Sequence, residues 1–164
     1  MATIEVNTSS TIGILPEIEN LDLSRIKWKL MDADEGQGWT VDLCDLAEIE
    51  YKKYLTLVKL FPKTDIVPNR IMDKFWHQHI LDTQAYANDC ESIFGFFIHH
   101  YPYFGMHGTE DKQNLINAFE ATKKFYKITF MTEMEEAFAS RCTDHACHKE
   151  SSCACRTQEA CKNK

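Results

Sequence analysis

A mainly α-helical domain is predicted by three features of this sequence: apolar residues recurring at spacings of four and three, prolines and glycines that stop those runs, and capping residues where they begin. The first twenty residues mix β-branched side chains with Gly13 and Pro16 without a sustained period, so they are expected to form an irregular arm. From Leu21 to Met31, the positions Leu23, Ile26, Trp28 and Leu30 suit a short helix, and the acids and glycines from Asp32 to Gly38 suit a loop. Thr40 offers an N-cap to the strongest run in the chain. Leu43, Ala47, Tyr51, Tyr54, Val58 and Phe61 fall on one helical face until Pro62 stops it.

A proline-bounded connection over 62–68 leads into 69–94, which reads as helical with a break near Asp82 and Thr83 and an end at Gly95. Residues 96–108 are rich in aromatics and histidine and contain Pro102, Gly105 and Gly108, a composition for a packed irregular segment. Thr109 followed by Glu110 and Asp111 is a good helix start, because a hydroxyl and early acids suit the orphan amides and the positive end of the dipole. That helix turns Leu115, Ile116, Phe119, Thr122 and Tyr126 inward. Thr132 to Glu135 matches a capping box for a last turn or two, with Met134 and Phe138 facing the core. The expected organisation is a compact helical domain over 1–140, with 1–20 as its arm, and a cysteine-rich tail over 141–164 that is disordered unless metal or disulfides order it.

At 164 residues and 44% hydrophobic content, with ten Phe, six Tyr and three Trp, the chain can bury one sizeable core without staples. It has no apolar stretch long enough to span a bilayer and no basic, apolar leader at Met1 to Ser10, so a cytoplasmic protein without membrane contact is expected. Residues 141–164 carry Arg141, Lys149, Arg156, Lys162 and Lys164 against Asp144, Glu150 and Glu159, a formal +2, which leaves −9 of the total −7 on residues 1–140. A body of that sign repels phosphates, which argues against nucleic acid as a partner. A peptide or protein partner stays open.

The chemistry concentrates in Asp73-Lys-Phe-Trp-His-Gln-His-Ile-Leu-Asp82, where two imidazoles and two carboxylates stand among large apolar groups. Side chains three or four apart share a helical face and those two apart do not, so His77 and His79 should diverge, with Asp73 beside His77 and Asp82 beside His79. Further ligands could come from His99 and His100, since an irregular segment can turn an imidazole back toward the helix. The candidate metal ligands are therefore His77, His79, His99, His100, Asp73 and Asp82, a donor set for iron, copper or zinc. Three ligands with open positions would allow a metal-dependent oxidase or hydrolase. Against this stands a structural use: a histidine beside Trp76 donating to a carbonyl, Asp73 or Asp82 capping a helix or pairing with Arg70 or Lys74, and His99 and His100 at the surface. There is no Gly-rich phosphate loop, Gly-x-Ser-x-Gly elbow or His-Glu-x-x-His pair.

Asp73-x-x-Trp-His-x-His79, followed by Tyr86 and Asp89-Cys90, resembles the pattern of the glycine-rich domain-containing-protein-like family over roughly residues 40–105. The resemblance implies a helical fold, singles out Asp73, Trp76, His77, His79, Tyr86 and Cys90, and supplies no reaction. With six glycines, this chain lacks the glycine-rich portion of the larger members.

Residues 141–164 contain no large apolar side chain and cannot build a core alone. Cys142, Cys147, Cys153, Cys155 and Cys161, with His145 and His148 among them, suit zinc or monovalent copper, disulfides, or a peptide processed by another protein. Cys44 and Cys90 read as buried small hydrophobes. Three functions are thus carried forward: a metalloprotein using the His/Asp site, a helical interaction module with structural histidines, and metal storage or delivery through the tail.

Overall fold

The computed structural model describes residues 13–135, and among these the regular structure is entirely helical. The six helices are α1 (Pro16–Glu19), α2 (Ser24–Met31), α3 (Val41–Leu60), α4 (Arg70–Leu81), α5 (Thr83–Phe94) and α6 (Gly108–Phe130). None is long and apolar enough to cross a membrane.

Helix α3 is the hub, packed against α1, α2, α4 and α6. Its interior face is the one the spacing predicts, with Ala47, Tyr51 and Tyr54 buried, and it starts where Thr40 Oγ1 accepts from Leu43 N at 3.2 Å. The predicted arm is partly regular. Pro16 pre-sets the first turn of α1, Ile18 is fully buried, and the Lys52 ammonium donates to the Glu19 carbonyl at 2.8 Å, which ties this turn to α3.

In α2 the inward positions are Leu23, Ile26 and Leu30, but Trp28 is 75% exposed, contrary to expectation. It lies two residues from both Ile26 and Leu30, and a helix cannot present all three to one surface. The following loop closes tightly on itself: a Cβ at Gly36 would lie 1.9 Å from the Lys29 carbonyl oxygen, so only glycine fits.

The break at Asp82 is as predicted. Its side chain caps α5 by accepting from Ala85 N, and α5 ends at Gly95 in the left-handed conformation. Helix α6 begins at Gly108, so Thr109, expected to cap it, lies inside the first turn, and that turn is held from inside. The Asp111 carboxylate accepts from Gly105 N at 2.8 Å and His107 N at 3.0 Å, reaching back to the chain that enters the helix. Gly105 has φ +85°, and a Cβ there would lie 2.6 Å from Leu115 Cδ2, so the irregular segment seats on α6 through a glycine.

Leu115, Phe119, Thr122 and Tyr126 are buried as predicted, while Ile116, also expected inward, is half-buried. Thr122 Oγ1 accepts from Val67 N at 2.9 Å and anchors the connection after α3. Tyr126 donates to the buried Glu50 carboxylate at 2.9 Å, and the Lys53 ammonium contacts both groups. Residues 131–135 are not helical, so the capping-box pattern at Thr132 starts no helix within the described residues, although Met134 is buried. Phe138 and the five tail cysteines lie outside the described residues. Cys44 and Cys90 are buried free thiols.

Candidate metal centre

Helix α4 is launched by Asn69, whose side chain accepts from Met72 N at 2.9 Å, and this sets the rotation of every side chain that follows. Asp73 and His77, one turn apart, point to the same place. His79 points elsewhere, as two-residue spacing requires. The third member comes from the segment after α5: His100 Nε2 lies 3.1 Å from Asp73 Oδ1 and 2.9 Å from His77 Nε2, and His77 Nε2 lies 3.6 Å from Asp73 Oδ1. These three residues form a group able to hold a metal ion.

The segment delivers His100 rather than its neighbour because it is latched two residues earlier. Trp76 Nε1 donates to the Tyr86 hydroxyl at 2.9 Å, and that hydroxyl donates to the Ile98 carbonyl at 2.6 Å. Extended chain alternates its side chains, so fixing Ile98 sends His99 outward and His100 back onto α4. The Trp76 ring then lies against His100 with centroids 4.5 Å apart. The latch was not evident in the sequence, because Trp76 and Tyr86 meet only when α5 lies beside α4.

The geometry poses a proton-counting problem. Each Nε2 carries either a proton or a lone pair, never both. If His100 donates to Asp73, its one proton is shared with His77; if it accepts from His77, its lone pair opposes the carboxylate. With both Nε2 atoms presenting lone pairs, the three donor atoms can instead face one cation. Zinc bonds of about 2.0–2.1 Å in a tetrahedral site place ligand atoms roughly 3.3 Å apart, and the three observed separations bracket that spacing. The Asp73 side chain is 2% exposed, while that of His77 is 26% exposed, so the group has a buried floor and a side open toward solvent.

His79 is a different kind of residue. Its Nε2 donates to Asp89 Oδ2 at 2.9 Å and its Nδ1 accepts from the Tyr51 hydroxyl at 2.9 Å, so both nitrogens are occupied inside the core. Burial pushes its pKa below the usual imidazole value, opposed by the Asp89 carboxylate. Burial likewise raises the Tyr51 hydroxyl well above its ordinary value, keeping it a donor. Neither Tyr51 nor Asp89 was a sequence candidate. Asp89 entered the sequence reading only within the Asp89-Cys90 pair after Tyr86, not as a partner for His79.

Asp82 is not with the group: besides capping α5, it pairs with Arg25 at 2.6 Å. His99 is exposed, with its ring beside Phe97, and together with Trp76 and His100 helps to line a cleft of about 400 Å³.

A family model described as UCP032817-like matches residues 18–129, and neither the curated proteins nor the solved structures contain a match. This finding corrects the resemblance drawn from the Trp-His-x-His segment, because no glycine-rich domain-containing family is shown. The residues that carried it have a local role: Trp76, His79, Tyr86 and Cys90 are buried, and Trp76 and Tyr86 join α4 to α5. The match runs from Ile18 in α1 to Thr129 in α6, taking in every residue of the His/Asp group, and with more than half of its 164 residues so covered the chain belongs to the UCP032817-like family.

Proposed function

We propose that Asp73, His77 and His100 hold one first-row transition-metal ion and that the protein works through it as a metal-dependent oxidase or hydrolase. The observation that carries this reading is the convergence of three donor atoms, two imidazole and one carboxylate, at separations set for a common ion. Two histidines and one carboxylate with open positions suit non-haem iron, and the same donors suit a catalytic zinc. In either case the ion would polarise or activate a molecule in its open position. Asp73 would offset its charge, and the Trp76–Tyr86–Ile98 latch would hold His100 in place.

The test is metal content and affinity of the full chain, compared with Asp73→Asn, His77→Ala and His100→Ala, each also made with all five tail cysteines changed to serine. One equivalent of ion that survives the serine changes and is lost in each site variant supports the reading. Metal content indifferent to the three site residues sinks it, and metal that disappears with the cysteines moves the function to the tail. A second reading, a helical interaction module, is favoured by Phe96, Tyr101 and Tyr103, each more than half exposed on the same segment. It takes the lead if the wild-type chain retains no ion.

A further inference from the structure

The cleft beside the metal group has its own chemistry. It opens between α3, the connection before α4, and the segment that carries His99 and His100. At about 400 Å³ it falls within the range of roughly 300–1,000 Å³ typical of small-molecule sites. Phe104 and the exposed Tyr101 give it aromatic walls over a floor of the buried Tyr54 and Trp76 rings, which brace one another at 5.1 Å. Flat rings pack well on such walls, and aromatic faces also attract a cation.

The side chains on that wall able to carry charge near neutral pH are Asp65, His99 and His100. Asp65 supplies a carboxylate in the exposed connection, and no lysine or arginine lies among the lining residues to meet an anion. The net charge of the whole chain, −7, has the same preference at longer range. We propose that the cleft binds a small aromatic amine, its ring against Phe104 and Tyr101 and its ammonium toward Asp65.

This site goes beyond the metal reading and stands without it, so the test uses the full chain after treatment with a chelator. Calorimetric titration with tryptamine, indole and indole-3-acetate compares one ring carrying positive, zero and negative charge. Tryptamine should bind one to one, and indole-3-acetate at least about 10-fold more weakly. Asp65→Asn should bring tryptamine down to the level of indole and leave indole unchanged. Val58→Phe and Thr64→Trp, which fill the cleft from its wall and from its exposed rim, should each weaken tryptamine by about 10-fold or more. Thr64→Trp, at an exposed position, keeps the test available if Val58→Phe does not fold. Binding of the carboxylate as tightly as the amine, binding untouched by the filling variants, or binding of none of the three overturns the proposal. Asp73→Asn should lose metal and keep tryptamine, so failure of one reading is visible separately from failure of the other.

Discussion

His77 and His79 stand two residues apart on one helix and have opposite surroundings. His79 is enclosed, with one nitrogen donating to Asp89 and the other accepting from Tyr51. His77 is partly open, and its Nε2 faces the Nε2 of a second histidine and a buried carboxylate. The first arrangement occupies both imidazole nitrogens within the core. The second brings three donor atoms close enough to face one cation. A buried imidazole is therefore informative through what each of its nitrogens meets, and the count of nearby histidines says much less.

The contrast is broken most forcefully at His79. His79→Ala removes a core ring and leaves the Tyr51 hydroxyl and the Asp89 carboxylate without their partner, which should cost about 3–5 kcal/mol in urea unfolding. Metal stoichiometry of the protein that remains folded should not change. If folded His79→Ala lost its ion, the two histidines would not be separable as argued. His77→Ala should show the reverse: metal affinity down by more than about 100-fold, with metal-free stability changed by about 1 kcal/mol or less.

The latch sharpens the comparison from outside the candidate ligand set. Tyr86→Phe deprives the Trp76 indole N–H and the Ile98 carbonyl of their shared partner, so stability should fall by about 1–3 kcal/mol. His100 would then be less well held, and metal affinity should drop by about 10-fold. Equal affinity in Tyr86→Phe and wild type would mean that His100 is positioned by other contacts.

A pH titration of stability bears on His79. Its folded pKa lies below the ordinary value of 6.5, because burial disfavours the charged ring. Below that value the unfolded chain takes up a proton that the folded chain resists. The His79 contribution is thus complete above 6.5 and is lost as pH falls through the folded pKa. The metal-free protein should become less stable from about pH 6.5 downward, and His79→Gln should remove that part of the slope.

The smallest effect belongs to Asp82, whose role is an α5 cap and a pair with the exposed Arg25. Asp82→Asn should cost about 1 kcal/mol or less and leave metal affinity as it was. A loss of metal there would bring Asp82 back into the site.

The helices were readable because their signals are local: Thr40 and Pro62 bound α3, Asp82 interrupts α4 and α5, and Gly95 ends the second of them. The divergence of His77 from His79 follows from helical rotation alone and was equally readable. The choice between His99 and His100 was not. It depends on where Ile98 is pinned, and Ile98 is pinned by Tyr86, which receives the indole N–H of Trp76 from another helix. Trp28 shows the opposite limit, since a large aromatic ring within an apolar run says nothing about its direction once its neighbours have claimed the inward face.

The chain separation of the three candidate ligands bears on the order in which the molecule is assembled. Asp73 and His77 become neighbours as soon as one helical turn forms, an event of local chain dynamics. His100 lies 27 positions beyond Asp73 and 23 beyond His77, and it reaches them only after α5 has folded back beside α4 and Tyr86 has met the Ile98 carbonyl. A nascent chain that has completed α4 alone offers two donors, too few to retain an ion against competing ligands in the cell. Capacity for metal would then appear as a late and abrupt gain, marking the closure of the α4 and α5 pair in time as well as in space.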